Sequence, residues 1–183
     1  EDSFISFGGE IRHRVDSLSN PDFGASTFSR SNAWLQRYVV HTDINFAPKV
    51  RSFVQVFGTI EEGCEGGPSP VDENGFEIHN AFVDLQFTQD SLLRVGRQEL
   101  QFGSGRLISV REWPNVRRTF NGGQLRFEFS DLDIDVFYAV PQNPEVGNFN
   151  DDPNRDESIS GIYMTRPIHE ASSSLELYAL RSE

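Results

Sequence analysis

Hydrophobic and polar residues alternate with a period of two along most of the chain, and no stretch shows the 3.6-residue period of a helix. Tyr38 and Val40 alternate with Arg37 and His41, for example. This pattern is typical of β-strands that have one apolar face and one polar face. It predicts nine strands, at about residues 5–15, 37–46, 50–60, 78–87, 92–100, 119–129, 134–140, 158–166 and 173–181.

The connections between these strands alternate in length. Short turns are expected near residues 47–49, 88–91, 130–132 and 167–172, and long polar loops near 17–32, 61–77, 101–118 and 141–157. Short turns on one side and long loops on the other are typical of outer-membrane barrels. The sequence therefore predicts an all-β protein, an antiparallel up-and-down transmembrane β-barrel. A soluble all-β domain with one wet face is the alternative, because its strands alternate in the same way.

The strand count bears on how much of a barrel the chain supplies. Single-chain bacterial barrels usually have an even number of strands and both ends on the periplasmic side. Nine strands that start on that side would finish on the other. Either one strand is missed or the chain is a fragment of a longer barrel. We favour the fragment, with residues 1–183 forming one partial barrel domain.

Charge is unevenly distributed along the 183 residues. The 28 acidic and 16 basic residues give a formal net charge of −12, which argues against nucleic acid as a partner. Loops 61–77 and 141–157 together hold eleven acids and one base, a net of −10. The remaining 17 acids and 15 bases are nearly balanced, and Lys49 is the only base that is not arginine. No apolar run approaches the roughly 18 residues of a membrane helix.

Signatures of catalysis, of a cofactor and of a metal are weak. The histidines are scattered, and Cys64 is alone in an acidic, Gly/Pro-rich segment. No nucleophile elbow or zinc-ligand spacing occurs. His41 near Asp43 could hold a proton or a metal, and the acidic segment 151–157 could bind Ca²⁺, but polar strand and loop roles are favoured. The chain begins without a charged segment followed by an apolar one, so we expect that a signal peptide has already been removed. We predict a protein that is not an enzyme and has no cofactor.

Several short segments in the first two thirds of the chain are similar to segments of a known protein family. They are Arg37–His41, Pro48–Arg51, Ala81–Asp84, Leu93–Leu100, Gly105–Leu107, Trp113–Asn115 and Arg118–Gly123. These segments resemble the alginate export family of outer-membrane barrels. The resemblance implies a barrel of about eighteen strands, of which this chain supplies the N-terminal half, in the outer membrane of a Gram-negative cell.

The same resemblance implies a lumen lined by arginines that attract a polyanionic sugar, with acidic partners holding those arginines in place. Strand parity then nominates pore-lining residues and counter-charges. The pore-lining candidates are Arg12, Arg14, Arg37, Arg51, Arg97 and Arg126, and the counter-charges are Glu10, Asp43, Asp84, Glu128 and Asp135. Arg94 and Arg97 have opposite parity, so both face the lumen only if a bulge lies near Gly96; otherwise we predict Arg97. For any single arginine, a role in stiffening the barrel interior stays open beside one in selectivity.

These features together predict an anion-selective channel or porin. It would export, or allow diffusion of, an anionic polysaccharide similar to alginate or smaller anions. The expected partners are the transported anion, outer-membrane lipid and periplasmic secretion components. Trp34, Tyr38, Phe46 and Phe87 are candidates for the aromatic girdles at the membrane surfaces. A general porin without a dedicated polymer, and a soluble all-β carbohydrate-binding module, are the alternatives.

Overall fold

The computed structural model describes residues 3–19, 23, 25, 30–168 and 173–183. Ten β-strands are assigned in this part of the chain. They are β1 Phe4–Ser19, β2 Arg30–Ala47, β3 Val50–Glu62, β4 Asn74–Thr88, β5 Ser91–Gln98, β6 Phe120–Glu128, β7 Asp133–Asn143, β8 Asp152–Pro153, β9 Ile159–Ile168 and β10 Ser173–Ser182. The predicted all-β composition is confirmed.

Nine of the strands form one continuous antiparallel meander. Their order is β1-β2-β3-β4-β5-β6-β7-β9-β10, so each of these strands pairs with the one that follows it along this path. The two-residue strand β8, which the sequence did not predict, pairs with the end of β7. The nine-stranded antiparallel arrangement is therefore as predicted, with β1 and β10 at the two ends of the order.

The strand connections reproduce the predicted alternation wherever they are described. Residues 48–49, 89–90 and 129–132 make short turns, and residues 63–73, 99–119 and 144–158 make the long connections. β1 continues to Ser19 and β2 begins at Arg30, so both strands extend further than predicted. The predicted turn at 167–172 falls largely on residues 169–172, which lie outside the described residues.

The two faces of the sheet differ sharply in exposure. On one face, apolar side chains are open to the surroundings; Phe7, Ile11 and Val15 are 77%, 72% and 75% exposed. The other face is covered by the long loops, and Leu35 and Phe57 there are only 2% and 3% exposed. We call these the open face and the loop-covered face. None of the described residues forms a helix long and apolar enough to cross a membrane.

The four girdle candidates all lie on the open face. Trp34, Tyr38, Phe46 and Phe87 are each exposed there. Phe46 and Phe87 lie beside the short turns, whereas Trp34 and Tyr38 lie further along β2, towards the long loops. The four aromatic side chains therefore lie at two heights on the open face.

Candidate functional site: the charged, loop-covered face

Strand register brings most of the predicted charged residues onto one face. Directly opposite residues in an antiparallel pair point to the same side of the sheet. Arg51 lies opposite Asp84, and Arg126 lies opposite Asp135. Followed across the sheet, the register assigns ten of the predicted residues to the loop-covered face: Arg12, Arg14, Arg37, Arg51 and Arg126, with Glu10, Asp43, Asp84, Glu128 and Asp135.

Arginines and aspartates form a chain of ion pairs across β2, β3, β4 and β5. Arg51 donates two hydrogen bonds to Asp43, of 2.8 and 2.9 Å, and a third of 3.0 Å to Asp84. Arg94 grips the same Asp84 with bonds of 2.7 and 2.8 Å. Bidentate geometry fixes both the direction and the distance of a guanidinium. The four side chains are therefore held in one arrangement, with the sign of the charge alternating from strand to strand.

Aromatic rings support this chain of charges. The rings of Phe53 and Phe82 stack with their centres 5.2 Å apart. The guanidinium carbon of Arg94 lies 3.8 Å from the centre of the Phe82 ring. A cation over an aromatic face is stabilised by about 0.5–2 kcal/mol. The stacked rings therefore help to fix the guanidinium groups.

Arg126 is the centre of a second, smaller group. Its Nε donates a 2.9 Å hydrogen bond to Asp135, and Gln124 donates a 2.7 Å bond to the same oxygen. Glu128 lies 3.8 Å from Arg126. Asp135 is buried and its charge is satisfied by two donors, whereas Arg126 remains partly exposed. Only the Nε–H of Arg126 makes a hydrogen bond to a described residue, so its terminal N–H groups are not engaged there.

The structure separates Arg94 from Arg97. Arg94 lies on the loop-covered face opposite Asp84, while Arg97 lies opposite Ala81, on the other parity. The register runs through Gly96 without a shift, so no bulge occurs there. Arg97 nevertheless bends across β4, donates a 2.7 Å hydrogen bond to the Ile78 carbonyl, and comes within 3.4 Å of Glu77 Oε1.

Gly96 is needed for its own backbone conformation, and it does not form a bulge that redirects the side chains beside it. Its φ is +135°, and a Cβ atom there would lie 2.2 Å from the Ala81 carbonyl oxygen. Only glycine adopts this conformation at such a close approach. The glycine in the Val-Gly-Arg-Gln segment thus allows β5 to pack tightly against β4.

The connection 99–119 crosses the loop-covered face from one side of the sheet to the other. At its start, the Phe102 ring stacks on Phe137 of β7 and Tyr163 of β9, at 4.7 and 5.2 Å. Near its end, Val116 packs in an apolar cluster with Val39 of β2 and Phe57 of β3. We call residues 99–119 the crossing loop. It contains four arginines and two glutamates, so it brings excess positive charge onto this face.

Gly103 lets the crossing loop approach β9 and β10. A Cβ atom at Gly103 would lie 2.4 Å from both the Tyr163 hydroxyl and Glu176 Oε2, and its φ is +52°. The Tyr163 hydroxyl donates a hydrogen bond to Glu176 directly below it. A larger residue at 103 would therefore have to displace this pair or lift the loop.

Glu112 joins the crossing loop to the arginines of β1 and β2. Its carboxylate accepts a hydrogen bond from Arg37 and lies 3.7 Å from Arg12 and 3.3 Å from Arg117. Arg37 is 2% exposed and also binds Glu10 at 3.0 Å. Partial burial raises the pKa of Glu112, but its hydrogen bond and attraction to Arg37, reinforced by Arg117, lower that pKa by more, leaving it below the ordinary 4.5. We call these residues the Glu112 cluster.

Arg14 anchors the next residue of the crossing loop. It donates a hydrogen bond to the Trp113 carbonyl, and its guanidinium lies 4.7 Å from the centre of the Trp113 ring. It also forms a 2.9 Å ion pair with Asp16 on its own strand. Arg14 therefore holds the loop by both a polar and an aromatic contact.

Asn115 is a structural residue of this site that strand periodicity does not reveal. It is 1% exposed, and its amide group donates hydrogen bonds of 2.9 and 3.0 Å to the carbonyls of Gln36 and Asp72. Its own N–H donates to the Asp72 carboxylate at 2.8 Å. It thus ties the crossing loop to β2 and to the 63–73 connection. The Trp-Pro-Asn segment is the sequence signal that marks it.

A histidine and a glutamate that the sequence did not nominate for the site extend the polar network. His79 is 3% exposed and lies 2.7 Å from Glu99, which in turn pairs with Arg117 at 3.0 Å. β4 changes register against β3 here, between Ile78 and Asn80, which leaves His79 as an inserted residue. An inserted residue breaks the period of two, so parity alone does not assign its direction.

The described residues contain no group of three or more His, Cys, Asp or Glu side chains arranged to hold a metal ion. His41 stacks near Phe53 at 5.1 Å, a contact with an aromatic ring. Cys64 is a free thiol with its sulfur 3.5 Å from the Ser31 hydroxyl. His169 lies outside the described residues.

A single antiparallel meander with one exposed apolar face and one charged, loop-covered face has the architecture of a β-barrel protein. The family model described as "Alginate export" matches residues 3–183, and the chain belongs to this family. It is a family of transport channels built as outer-membrane β-barrels, not a family of enzymes. No curated protein matches the chain. The predicted family and fold class are confirmed, while the pore-lining roles of individual residues remain predictions.

Proposed function

We propose that this chain forms part of an outer-membrane channel through which an anionic polysaccharide, or smaller anions, passes along the loop-covered face. The observation that carries the proposal is the ordered set of arginines on that face, each held by a carboxylate. Fixed guanidinium groups lower the barrier for carboxylates and phosphates in a polar passage. The apolar open face would then contact lipid of a Gram-negative outer membrane.

Pairing of the charges suits transport better than tight binding. An unpaired arginine would hold a carboxylate strongly, because a charge-assisted bidentate contact is among the strongest hydrogen bonds. Arg51 has five N–H donors, of which three are engaged by Asp43 and Asp84. The remaining donors can make brief contacts with a passing anion. A neutral but strongly polar lining therefore allows an anion to enter and to leave.

The proposed pore lining comprises the six predicted arginines together with Arg94 and the crossing loop. Arg12 and Arg14 would line the passage where the crossing loop contacts β1 and β2, and the buried Arg37 would act there by holding Glu112. Arg51, Arg94 and Arg126 lie nearer the short turns. Arg97 would act through its contact with Glu77, at the long-loop end. The proposed counter-charges are Glu10, Asp43, Asp84, Glu128 and Asp135.

Bilayer conductance of the full-length protein tests the proposal. The reversal potential in a salt gradient should indicate a preference for anions, and Arg51→Gln and Arg126→Gln should lower the anion-to-cation permeability ratio. Arg166→Gln is a matched control, because Arg166 pairs with Asp131 at 2.8 Å but both side chains are about 60% exposed near a short turn. A channel without anion preference, or one that responds equally to all three variants, would contradict the assigned role of the loop-covered face.

A soluble carbohydrate-binding module is the second candidate, and a simple observation separates it from the channel. A barrel requires detergent or lipid and migrates differently on a gel before and after heating. The broad exposure of Phe7, Ile11 and Val15 favours the channel, since soluble proteins rarely expose large apolar patches. A water-soluble monomer of the full-length protein would exclude the barrel.

A further inference from the structure

A cleft of about 240 Å³ lies between the crossing loop and the segment 141–157. Phe57 of β3 and His79 of β4 form part of its wall. The remaining walls come mainly from the second half of the crossing loop and from residues around Pro141 and Asn154. The cleft is therefore built by contacts between two long connections on the same end of the sheet.

Two arginines of this cleft differ from those of the strands. Arg111 and Arg118 both line it, and within the described residues neither lies within 4.0 Å of a carboxylate, the distance that defines an ion pair. Arg117, which also lines the cleft, is already paired with Glu99 and Glu112. Arg111 and Arg118 thus present charge to the cleft that no described side chain neutralises by direct contact.

The environment of Arg118 is unfavourable for a cation without a ligand. Burial and the nearby charge of Arg111 lower the pKa of Arg118, and Glu157, which also lines the cleft, offsets this only in part. One side of the guanidinium is covered by the Phe120 ring, 5.2 Å away. An anion entering the cleft would relieve the repulsion between the two arginines.

Arg111 is also held in a strained backbone conformation. Its φ is +54°, a region that non-glycine residues rarely occupy, and its N–H donates a 3.1 Å hydrogen bond to the Ser109 hydroxyl. Such strain is found preferentially at ligand sites. Here it accompanies the change of side within the loop, since Arg111 lines the cleft while Glu112 turns to the strand arginines.

The remaining lining indicates the chemistry of the ligand. Pro114, Pro141 and Pro144 supply apolar surface, and Gln142, Asn143 and Asn154 supply amide groups that can donate to and accept from hydroxyls. The carboxylate of Asp151 also lines the cleft, where it accepts hydrogen bonds from Asn74 and from the Glu145 N–H. The volume is slightly below the roughly 300–1,000 Å³ typical of ligand pockets. A single sugar ring bearing one carboxylate matches two guanidinium groups, flat apolar patches and several amides.

We propose that the cleft is a binding site for one hexuronate unit, with its carboxylate between Arg111 and Arg118 and its ring against the prolines. This inference rests on the proposed function for the source of the ligand, which would be an anionic polysaccharide passing through the channel. The site lies outside the strand arginines proposed as the pore lining. It would hold a uronate unit at the long-loop end of the passage.

Equilibrium dialysis of the full-length protein in detergent micelles, with radiolabelled glucuronate as the probe, tests the site. Glucuronate should bind, glucose should not compete, and acetate and sulfate should compete only weakly because they lack the ring. Arg118→Met and Arg111→Asn should each weaken binding about tenfold, as expected for the loss of a charged hydrogen-bond donor. Asparagine is chosen at 111 because it tolerates positive φ. Arg155→Met, an exposed arginine of the same region that does not line the cleft, should leave binding unchanged.

A variant that binds glucuronate more tightly would show that weaker binding in the arginine variants is not caused by misfolding. Glu157→Gln should tighten glucuronate binding several-fold, because it removes a carboxylate that competes for Arg118. Unchanged binding in both arginine variants, or equal competition by acetate and glucuronate, would overturn the hexuronate site. A protein that conducts anions without binding glucuronate would remove this inference alone. One that binds glucuronate but forms no channel would instead remove the proposed function.

Discussion

The crossing loop contacts or contains two groups of arginines that differ in how their charge is satisfied. In the Glu112 cluster, Arg12, Arg37 and Arg117 surround a carboxylate of the loop itself. A few residues away, Arg111 and Arg118 line a cleft without an ion-pair partner among the described residues. The first group closes the loop onto the sheet, and the second leaves two charges free for a ligand.

Neighbouring positions in the chain are sorted between these two groups. Arg111 and Arg118 line the cleft without an ion pair, whereas Glu112 belongs to the cluster. Arg117 also lines the cleft, but it is paired with Glu112. Asn115 fixes the loop between them through hydrogen bonds to two other segments. The role of an arginine here depends on whether its carboxylate partner comes from the protein. An arginine paired within the fold stabilises it, while an unpaired one costs stability and offers a binding site.

Removal of Arg37 should have the largest effect on stability. Arg37→Ala removes a buried guanidinium from Glu10 and Glu112, whose side chains are 41% and 58% exposed. Because water can reach both carboxylates, we expect a cost of about 2 kcal/mol, that of losing hydrogen bonds between charged groups. The free energy of unfolding by urea, measured for the full-length protein in lipid vesicles, should fall by about this amount. Arg166→Ala should change it by less than about 1 kcal/mol, since its pair is exposed. Equal effects in the two variants would remove the distinction between the cluster and a surface pair.

Replacing Glu112 should leave the arginines of the Glu112 cluster without a carboxylate from the crossing loop. Glu112→Gln keeps the shape but removes the negative charge from among three arginines, so we expect a loss of about 1–2 kcal/mol. Sulfate should then stabilise the variant more than the original protein, because an anion can take the empty place. Glu145→Gln, in an exposed loop, is the matched control. If sulfate stabilises both proteins equally, Glu112 does not occupy an anion site.

Low pH should weaken the contact between Glu112 and its arginines in the unmutated protein. The pKa of Glu112 is lowered in the folded state, so its contact with the arginines stabilises the fold above the ordinary pKa of 4.5. That contribution is lost as pH falls through the lowered folded-state value. The free energy of unfolding in urea should therefore fall below about pH 4.5. The Glu112→Gln protein should show a smaller fall; an equal fall in both proteins would mean that other groups control the response to acid.

The strands and their two faces could be predicted from the sequence because both are determined by residues and strands that follow one another in the chain. Each strand pairs with the next along the meander, so a period of two and a short turn determine most of the register. The assignment of Arg51 and Asp84 to one face follows from that parity. Parity did not resolve the behaviour of Arg97, whose flexible side chain bends back across the strand to Ile78 and Glu77.

The crossing loop could not be predicted in the same way. Its contacts join residues far apart in the chain, such as Arg12 with Glu112 and Gln36 with Asn115. Such contacts leave no periodic signal, because a loop follows neither the period of a strand nor that of a helix. The sequence nominated the arginines of the strands, but it contained no indication that Glu112 supplies the carboxylate for two of them.

The smallest expected effect has the opposite sign to that of Arg37. Arg118→Met removes a partly buried charge that has no ion-pair partner among the described residues and keeps much of the apolar contact with Phe120. We expect the free energy of unfolding in urea to rise by up to about 1 kcal/mol, because no pair is broken and the cost of burying the charge disappears. Arg155→Met, exposed in the neighbouring loop, should change it by less than about 0.5 kcal/mol. A loss of stability in Arg118→Met would mean that its guanidinium supports the fold as Arg37 does. The cleft and the Glu112 cluster would then no longer differ in kind.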